Sequence, residues 1–210
     1  MAALPTHPDV HVLSSKTAWK GRFSVEVVEF SHRRFDGTMS GTRRWELFCR
    51  GRAAAVLPYD PITDQVALIE QFRLPALAAG LPPVMVEIPA GLCDGDEDPA
   101  KTASREAMEE MGLAVERLEL IGDFVLTPGG SDERCTMFVG CIGAPRAGPD
   151  GIIGQGGLAE EHEDIRATLH PATAAIEAAI AGRYANSVTT IALLWLGARR
   201  DWLRTHWAAA

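Results

Sequence analysis

Nowhere in the 210 residues do lysine and arginine gather into a block, and 20 of them against 28 aspartates and glutamates leave a formal net charge of −8. Binding nucleic acid through its phosphates needs a concentrated basic face, so no nucleic-acid partner is expected. A polyphosphate substrate would have to be met by local arginines and bound cations, because the overall field repels it. Cysteine pairing is missing too. Cys49, Cys93, Cys135 and Cys141 stand far apart without a CxxC spacing, which argues against a zinc site and a dense disulfide framework and points to reduced thiols in a cytoplasm. Long apolar runs are also lacking. The N-terminal MAALPTHPDVHVLSS has no basic region followed by an apolar one, and IALLWLGA near the C-terminus is far too short to cross a bilayer. A soluble, cytoplasmic protein that is not exported and has no membrane partner is expected. No internal repeat or low-complexity linker appears, so the length suits one sizeable core, or one domain with a small accessory element.

What the chain does have is a strand-rich first half. FSVEVVE (residues 23–29) alternates apolar and polar residues, and RRWELF, AAAVLP, QVALIEQ and VMVEIP follow as short extended runs separated by turn residues such as PYDPITD. After Gly91 the period changes. Ala100, Ala103, Ala107 and Met111 recur at helical spacing, with Asp98 as N-cap, Pro99 at the first helical position and Gly112 as the stop. LELIGDFVL and CTMFVGCI read as further strands. The glycine-rich GAPRAGPDGIIGQGGLAEEHED (143–164) reads as a connection too long and flexible to be ordinary. HPATAAIEAAIAGR and NSVTTIALLWLGARRDWL close the chain as helices. Ser187 is expected to cap the last, with Ile191, Leu194, Trp195, Ala198 and Trp202 on one face. A mixed sheet between helices, an α/β (α+β) fold, is the expectation, with an accessory arm over the first 50 residues.

The chemistry concentrates in GLCDGDEDPAKTASREAMEEMGL, residues 91–113. At about 100° per residue, Glu106 and Glu110 lie nearly above one another with Glu109 flanking them, about a quarter-turn from the apolar stripe. Left in water, such like charges repel by a few tenths of a kcal/mol per pair, roughly. A divalent cation reverses that sign, and hard carboxylate oxygens suit Mg²⁺ or Mn²⁺. A plain solvated acidic face is the alternative.

The frame of Gly91, Glu97 and Arg105-Glu106-Ala107-x-Glu109-Glu110-x-Gly112-Leu113 resembles the Nudix box, the signature of hydrolases acting on nucleoside diphosphates linked to another group. The resemblance implies an α/β/α sandwich with mixed β-sheets. It implies Glu106 and Glu110 as metal ligands, Glu109 as a further ligand or close partner, and Ala90 offering its backbone carbonyl. Arg105 and Glu97 would orient the glutamates. The implied cofactor is Mg²⁺ (or Mn²⁺), which neutralises the diphosphate and lowers the pKa of a bound water.

The flanks narrow the family. Pro128, fifteen residues beyond Leu113 in LTPGGSDER, and the runs LIEQFRLPA, VEIPAGL, EEHEDIR and ANSVTTIALLWL are similar to the ADP-ribose pyrophosphatase branch as found in bacteria. The resemblance implies Arg73 as a phosphate-binding arginine and Glu87, Pro128 and Gly129 beside the substrate. It implies Glu161 as general base, with His162 an alternative, and Glu163 as a metal-interacting carboxylate. Trp45 and Glu46 would stack on and hydrogen-bond adenine, although a core tryptophan on a strand is the plainer reading. It further implies a homodimer through an N-terminal β-rich arm (1–50), followed by a Nudix domain (51–210). The implied reaction is hydrolysis of ADP-ribose to AMP and ribose 5-phosphate. Alternatives are another nucleotide-sugar such as GDP-mannose or ADP-sugars, or a module that binds ADP-ribose without cleaving it.

Overall fold

The alternating runs of the first half become strands in two sheets. The computed structural model describes residues 4–143, 145–157 and 162–208. Met1–Gly51 with Val125–Glu133 make one compact unit, and Arg52–Phe124 with Arg134–Ala210 make the other.

In the smaller unit β1 (Val10–Lys20), β2 (Ser24–His32) and β3 (Arg43–Cys49) pair antiparallel in that order. β1 escapes a period-two reading because its register shifts between Val12 and Ser14 and again between Thr17 and Trp19, and each extra residue reverses the side-chain alternation. Trp45 on β3 is no core residue. It is 52% exposed and meets Phe30 edge-on with ring centres 5.3 Å apart, and Glu46 beside it is exposed. Pro128 and Gly129 lie in an exposed turn closed by the Gly130 N–H on the Thr127 carbonyl at 3.1 Å.

The larger unit holds β4 (Arg52–Asp60), β5 (Gln65–Phe72), α1 (Leu74–Ala78), β6 (Val84–Glu87), β7 (Ala90–Leu92), α2 (Pro99–Met111), β8 (Arg117–Val125), β9 (Arg134–Cys141), β10 (Ile152–Gly156), β11 (Ile165–Pro171), α3 (Ala172–Ile180) and α4 (Ser187–Ala208). Its sheet runs β10-β11-β5-β4-β9-β8, with β6 added to β5 and β7 to β4. β4 and β9 are parallel, while β5 is antiparallel to both β4 and β11. β4 is apolar on both faces because both are covered. Ala54 and Val56 pack with Ala103 and Ala107 of α2, whereas Tyr59 points the other way, its ring 6.3 Å from that of Trp207 in α4. The result is the α/β/α sandwich expected from the sequence.

One irregularity positions the site. β4 and β5 pair only at Tyr59–Val66 and Asp60–Gln65, and beyond that point they splay. The segment 84–92 fills the fork, lying first on β5 as β6, then offering the Pro89 carbonyl to the Val56 N–H at 3.0 Å, and then lying on β4 as β7. Glu87 and Ala90–Gly91 are thereby carried to the seam that α2 covers.

Three sequence expectations change. The glycine-rich stretch contains strand β10, which pairs with β11 at Gln155–Arg166. Its glycines serve close approach rather than flexibility: a Cβ on Gly156 would lie 2.0 Å from the Glu110 carbonyl oxygen, and the Gly157 N–H donates to the Glu109 carbonyl at 3.1 Å, satisfying one end of α2. The cap of α4 is Asn186 rather than Ser187, its Oδ1 accepting the Thr189 N–H at 2.9 Å. And α4 buries Ala192, Leu193, Leu196, Leu203 and Trp207, while Leu194, Ala198 and Trp202 are exposed. The first half of that helix is apolar around most of its circumference, so periodicity alone could not select the packed face. Among the described residues no helix is long and apolar enough to cross a membrane, and none of the four cysteines is joined in a disulfide.

Candidate active site

α2 starts and stops where its sequence directs. Asp98 accepts the Ala100 N–H at 3.0 Å, Pro99 occupies the first helical position, and Gly112 ends the helix in a left-handed conformation with φ 67°. Packing Ala103, Ala107 and Met111 against the sheet turns Glu106 and Glu110 inward as well, leaving them only 9% and 4% exposed. The acidic edge is therefore not a solvated face.

The space for these carboxylates comes from the fork. Glu106 lies against Gly91, where a Cβ would stand 1.8 Å from its Oε1. Glu110 accepts a hydrogen bond from the Ala90 N–H, yet its Oε2 is buried without a hydrogen-bond partner. Burial first, then the charges of Glu106 and Glu163, push the Glu110 carboxyl up to about 9, against the pull of Arg73 and the Ala90 N–H. Burial raises Glu106 too, offset in part by Arg105 and reinforced by Glu109 and Glu163. A buried, orphaned carboxylate oxygen among like charges asks for a proton or a cation.

Arg105 is the counter-charge that the chain itself supplies. Its Nη1 lies 2.8 Å from Glu106 Oε1 and 2.9 Å from Glu109 Oε2, and its Nη2 reaches Glu97 Oε2 and the Leu92 carbonyl, each at 3.4 Å. Burial works against that charge, but Glu106, Glu97 and Glu109 more than offset it and hold the guanidinium above its ordinary value. Glu97 in turn accepts the Thr102 hydroxyl at 2.8 Å and the Asp94 N–H at 3.3 Å, contacts that hold its carboxyl below the usual value. The i,i+4 pair with Glu109 and the link across the loop to Glu97 thus coexist. Among the described residues no three His, Cys, Asp or Glu side chains close on one point tightly enough to hold an ion. The guanidinium occupies the oxygens of Glu106 and Glu109 instead. The donor set still fits a hard cation: several carboxylates, one with a buried unpartnered oxygen.

Beside this group lies a second. Glu87, 5% exposed, takes Arg73 Nη2 at 2.7 Å, Arg73 Nε at 3.0 Å and Gln71 Nε2 at 3.3 Å on its Oε2, and Asn186 Nδ2 at 2.9 Å on its Oε1. Arg73 lies close enough to Glu110 for its charge to be felt there. Glu163 is half-buried and acts on both Glu106 and Glu110. Gly157, at φ +96°, lets its segment pass so near that a Cβ there would be 2.6 Å from Glu163 Cβ.

Glu87, Ala90, Arg73, Arg105, Glu106, Glu109, Glu110 and Glu163 therefore share the larger unit, while Trp45, Glu46, Pro128 and Gly129 belong to the smaller one. Glu161 lies outside the described residues. Gln71, Thr102 and Asn186 complete the hydrogen-bonding without having been singled out by the sequence. An asparagine with threonine three positions on, ahead of an apolar run, was the available sign for Asn186.

An α/β/α sandwich that buries two glutamates of one helix against a loop glycine, with an arginine clasping them, is a Nudix arrangement, and the chain belongs to the NUDIX domain family, whose model matches residues 50–188. The ADP-ribose pyrophosphatase of Escherichia coli (strain K12) is 38% identical over 200 residues, 95% of this chain and 93% of that protein. The GDP-mannose pyrophosphatase of Cronobacter sakazakii is 30% identical over 193 residues, covering 91% and 96% respectively. A crystal structure of an ADP compounds hydrolase superposes with a TM-score of 0.66 at 20% identity over 96% of this chain and 98% of that one, a likeness of fold.

Proposed function

We propose that the protein hydrolyses the diphosphate of ADP-ribose, giving AMP and ribose 5-phosphate. The observation that carries this reading is the buried Glu110 with its unpartnered Oε2, in a family member similar over nearly its whole length to an ADP-ribose pyrophosphatase. A divalent cation, Mg²⁺ or Mn²⁺, would be held by Glu106, Glu110 and Glu163 with the Ala90 carbonyl, and would supply neutralisation of the diphosphate and acidification of the attacking water. The chain's own residues do the rest. Arg105, anchored through Glu97, bridges Glu106 and Glu109 and offsets the repulsion between their charges. Arg73 meets a phosphate oxygen with its planar guanidinium. Glu161 accepts the proton of the attacking water as the new P–O bond forms and the bridging oxygen leaves.

Trp45 and Glu46 take the adenine, whose amino group can donate to Glu46, whereas guanine presents a carbonyl at that ring position. The chain acts in the cytoplasm as a homodimer through its N-terminal arm. The exposure of Leu13 (60%) and Trp19 (58%) on that arm supports this. Light scattering should return twice the 22.6 kDa chain mass; a monomer would remove the dimer.

Gly91→Ala separates fold from chemistry, because the obstructing atoms are the far end of the Glu106 side chain. The variant is expected to melt within about 4 °C of wild type and to lose at least about tenfold in kcat/KM. The reading as a whole is tested by chromatography after incubation with Mg²⁺ and, separately, ADP-ribose, GDP-mannose and NADH. AMP with ribose 5-phosphate from ADP-ribose is the expected outcome. Cleavage of GDP-mannose instead keeps the diphosphate chemistry and overturns the substrate.

A further inference from the structure

The cap of α4 serves more than its own helix. Because Asn186 Oδ1 accepts the Thr189 N–H at 2.9 Å, its amide can turn only Nδ2 toward β6, where it donates to Glu87 Oε1 at 2.9 Å. Glu87 is almost fully buried, so water does not readily replace that donor. Its other oxygen carries both Arg73 nitrogens. α4 is itself immobilised against the sheet. The fully buried Thr189 accepts the Ile88 N–H through Oγ1 at 3.1 Å, and Ala192, Leu193 and Leu196 behind it are fully buried. A continuous line of hydrogen bonds thus runs from a packed helix through Asn186 and Glu87 to the Arg73 guanidinium.

We propose that Asn186 is a positioning residue, which holds the Glu87 carboxylate in one orientation and thereby presents Arg73 to the substrate's diphosphate. The inference rests on the reading of Arg73 as a phosphate-binding group. It assigns Asn186 no contact with the reacting atoms, so the effect falls on substrate affinity more than on the chemical step.

The capping role and the positioning role can be separated. Serine is as good an N-cap as asparagine, but its hydroxyl sits on Cβ and cannot span to Glu87. Asn186→Ser is expected to keep kcat within about twofold while raising KM for ADP-ribose about tenfold, the loss of one hydrogen bond to a charged group, and to melt a few degrees lower than wild type, because the cap survives but the buried Glu87 Oε1 loses its Asn186 donor. Asn186→Asp keeps the cap, sets a carboxylate against Glu87, and should raise KM further. In an Arg73→Ala background, Asn186→Ser should leave KM unchanged, because its effect passes through the missing guanidinium. A KM increase that persists undiminished in that background, or Asn186→Ser kinetics equal to wild type, overturns the positioning role while the proposed activity stands. A wild-type protein that turns over no ADP-ribose overturns the activity and this inference together.

Discussion

Glu110→Gln is expected to cost at least about 10³-fold in ADP-ribose turnover, the scale on which removing a metal or charge-stabilising group acts, while leaving the metal-free protein as stable or more so. The two effects have opposite signs for one reason. Glu110 is buried among like charges with its Oε2 unpartnered, an environment that suits a cation or a proton. Burial, with the charges of Glu106 and Glu163, pushes its carboxyl from the ordinary 4.5 up to about 9, so the native state keeps a proton that the unfolded chain gives up. The stability from that proton is complete below the unfolded value and is lost as pH rises from there through the folded one. Chelator-treated wild type should therefore melt at progressively lower temperature between about pH 5 and 9 through this group. Glu110→Gln, a neutral mimic of the protonated acid, should lack that contribution and match or exceed wild type at the alkaline end. Thermal melts across this range, with kcat measured alongside, check both halves. Wild-type turnover in the variant would remove Glu110 from the metal. Since a bound cation must displace the same proton, metal affinity should rise over the same interval.

Arg73→Ala is expected to raise KM about 10²-fold, the loss of a charge-assisted phosphate contact, and to destabilise the protein by about 1–3 kcal/mol. The second effect arises at Glu87, buried at the base of the fork, which keeps Asn186 and Gln71 as donors but loses its only cationic partner among the ion pairs of the described residues. Adding Glu87→Gln should restore much of the stability and none of the affinity. Denaturant unfolding and steady-state kinetics on the single and double variants separate the two contributions. Recovery of affinity in the double variant would mean that Arg73 acts by balancing Glu87 rather than by meeting the substrate.

The helix that carries the glutamates was legible because its signals are local. Asp98, Pro99 and Gly112 mark its ends, and the alanine stripe marks its packed face. Most strands were legible where side chains alternate against one buried side. β1 was not, since two register shifts break its alternation, nor was β10, whose glycines look like flexibility until Gly156 is seen against the backbone of α2. For α4 the sequence offered two apolar faces, and only packing against the sheet and α3 chooses between them. At the site, the acidic residues and Arg105 follow from spacing within one helix and its loop. Asn186 meets Glu87 across 99 positions of sequence, and no local pattern encodes such a contact. The burial of Glu110 likewise depends on the splaying of β4 from β5, a property of the assembled sheet.

The claim on which the rest depends is that the α2 carboxylates hold a divalent cation for diphosphate hydrolysis. The measurement that tests it most directly is ADP-ribose turnover by chelator-treated protein, with and without added Mg²⁺ or Mn²⁺, for wild type and Glu110→Gln together. The account predicts AMP and ribose 5-phosphate from the wild type only when metal is returned, and next to none from the variant in either condition. Turnover in the presence of chelator, or equal restoration of both proteins by metal, would contradict it.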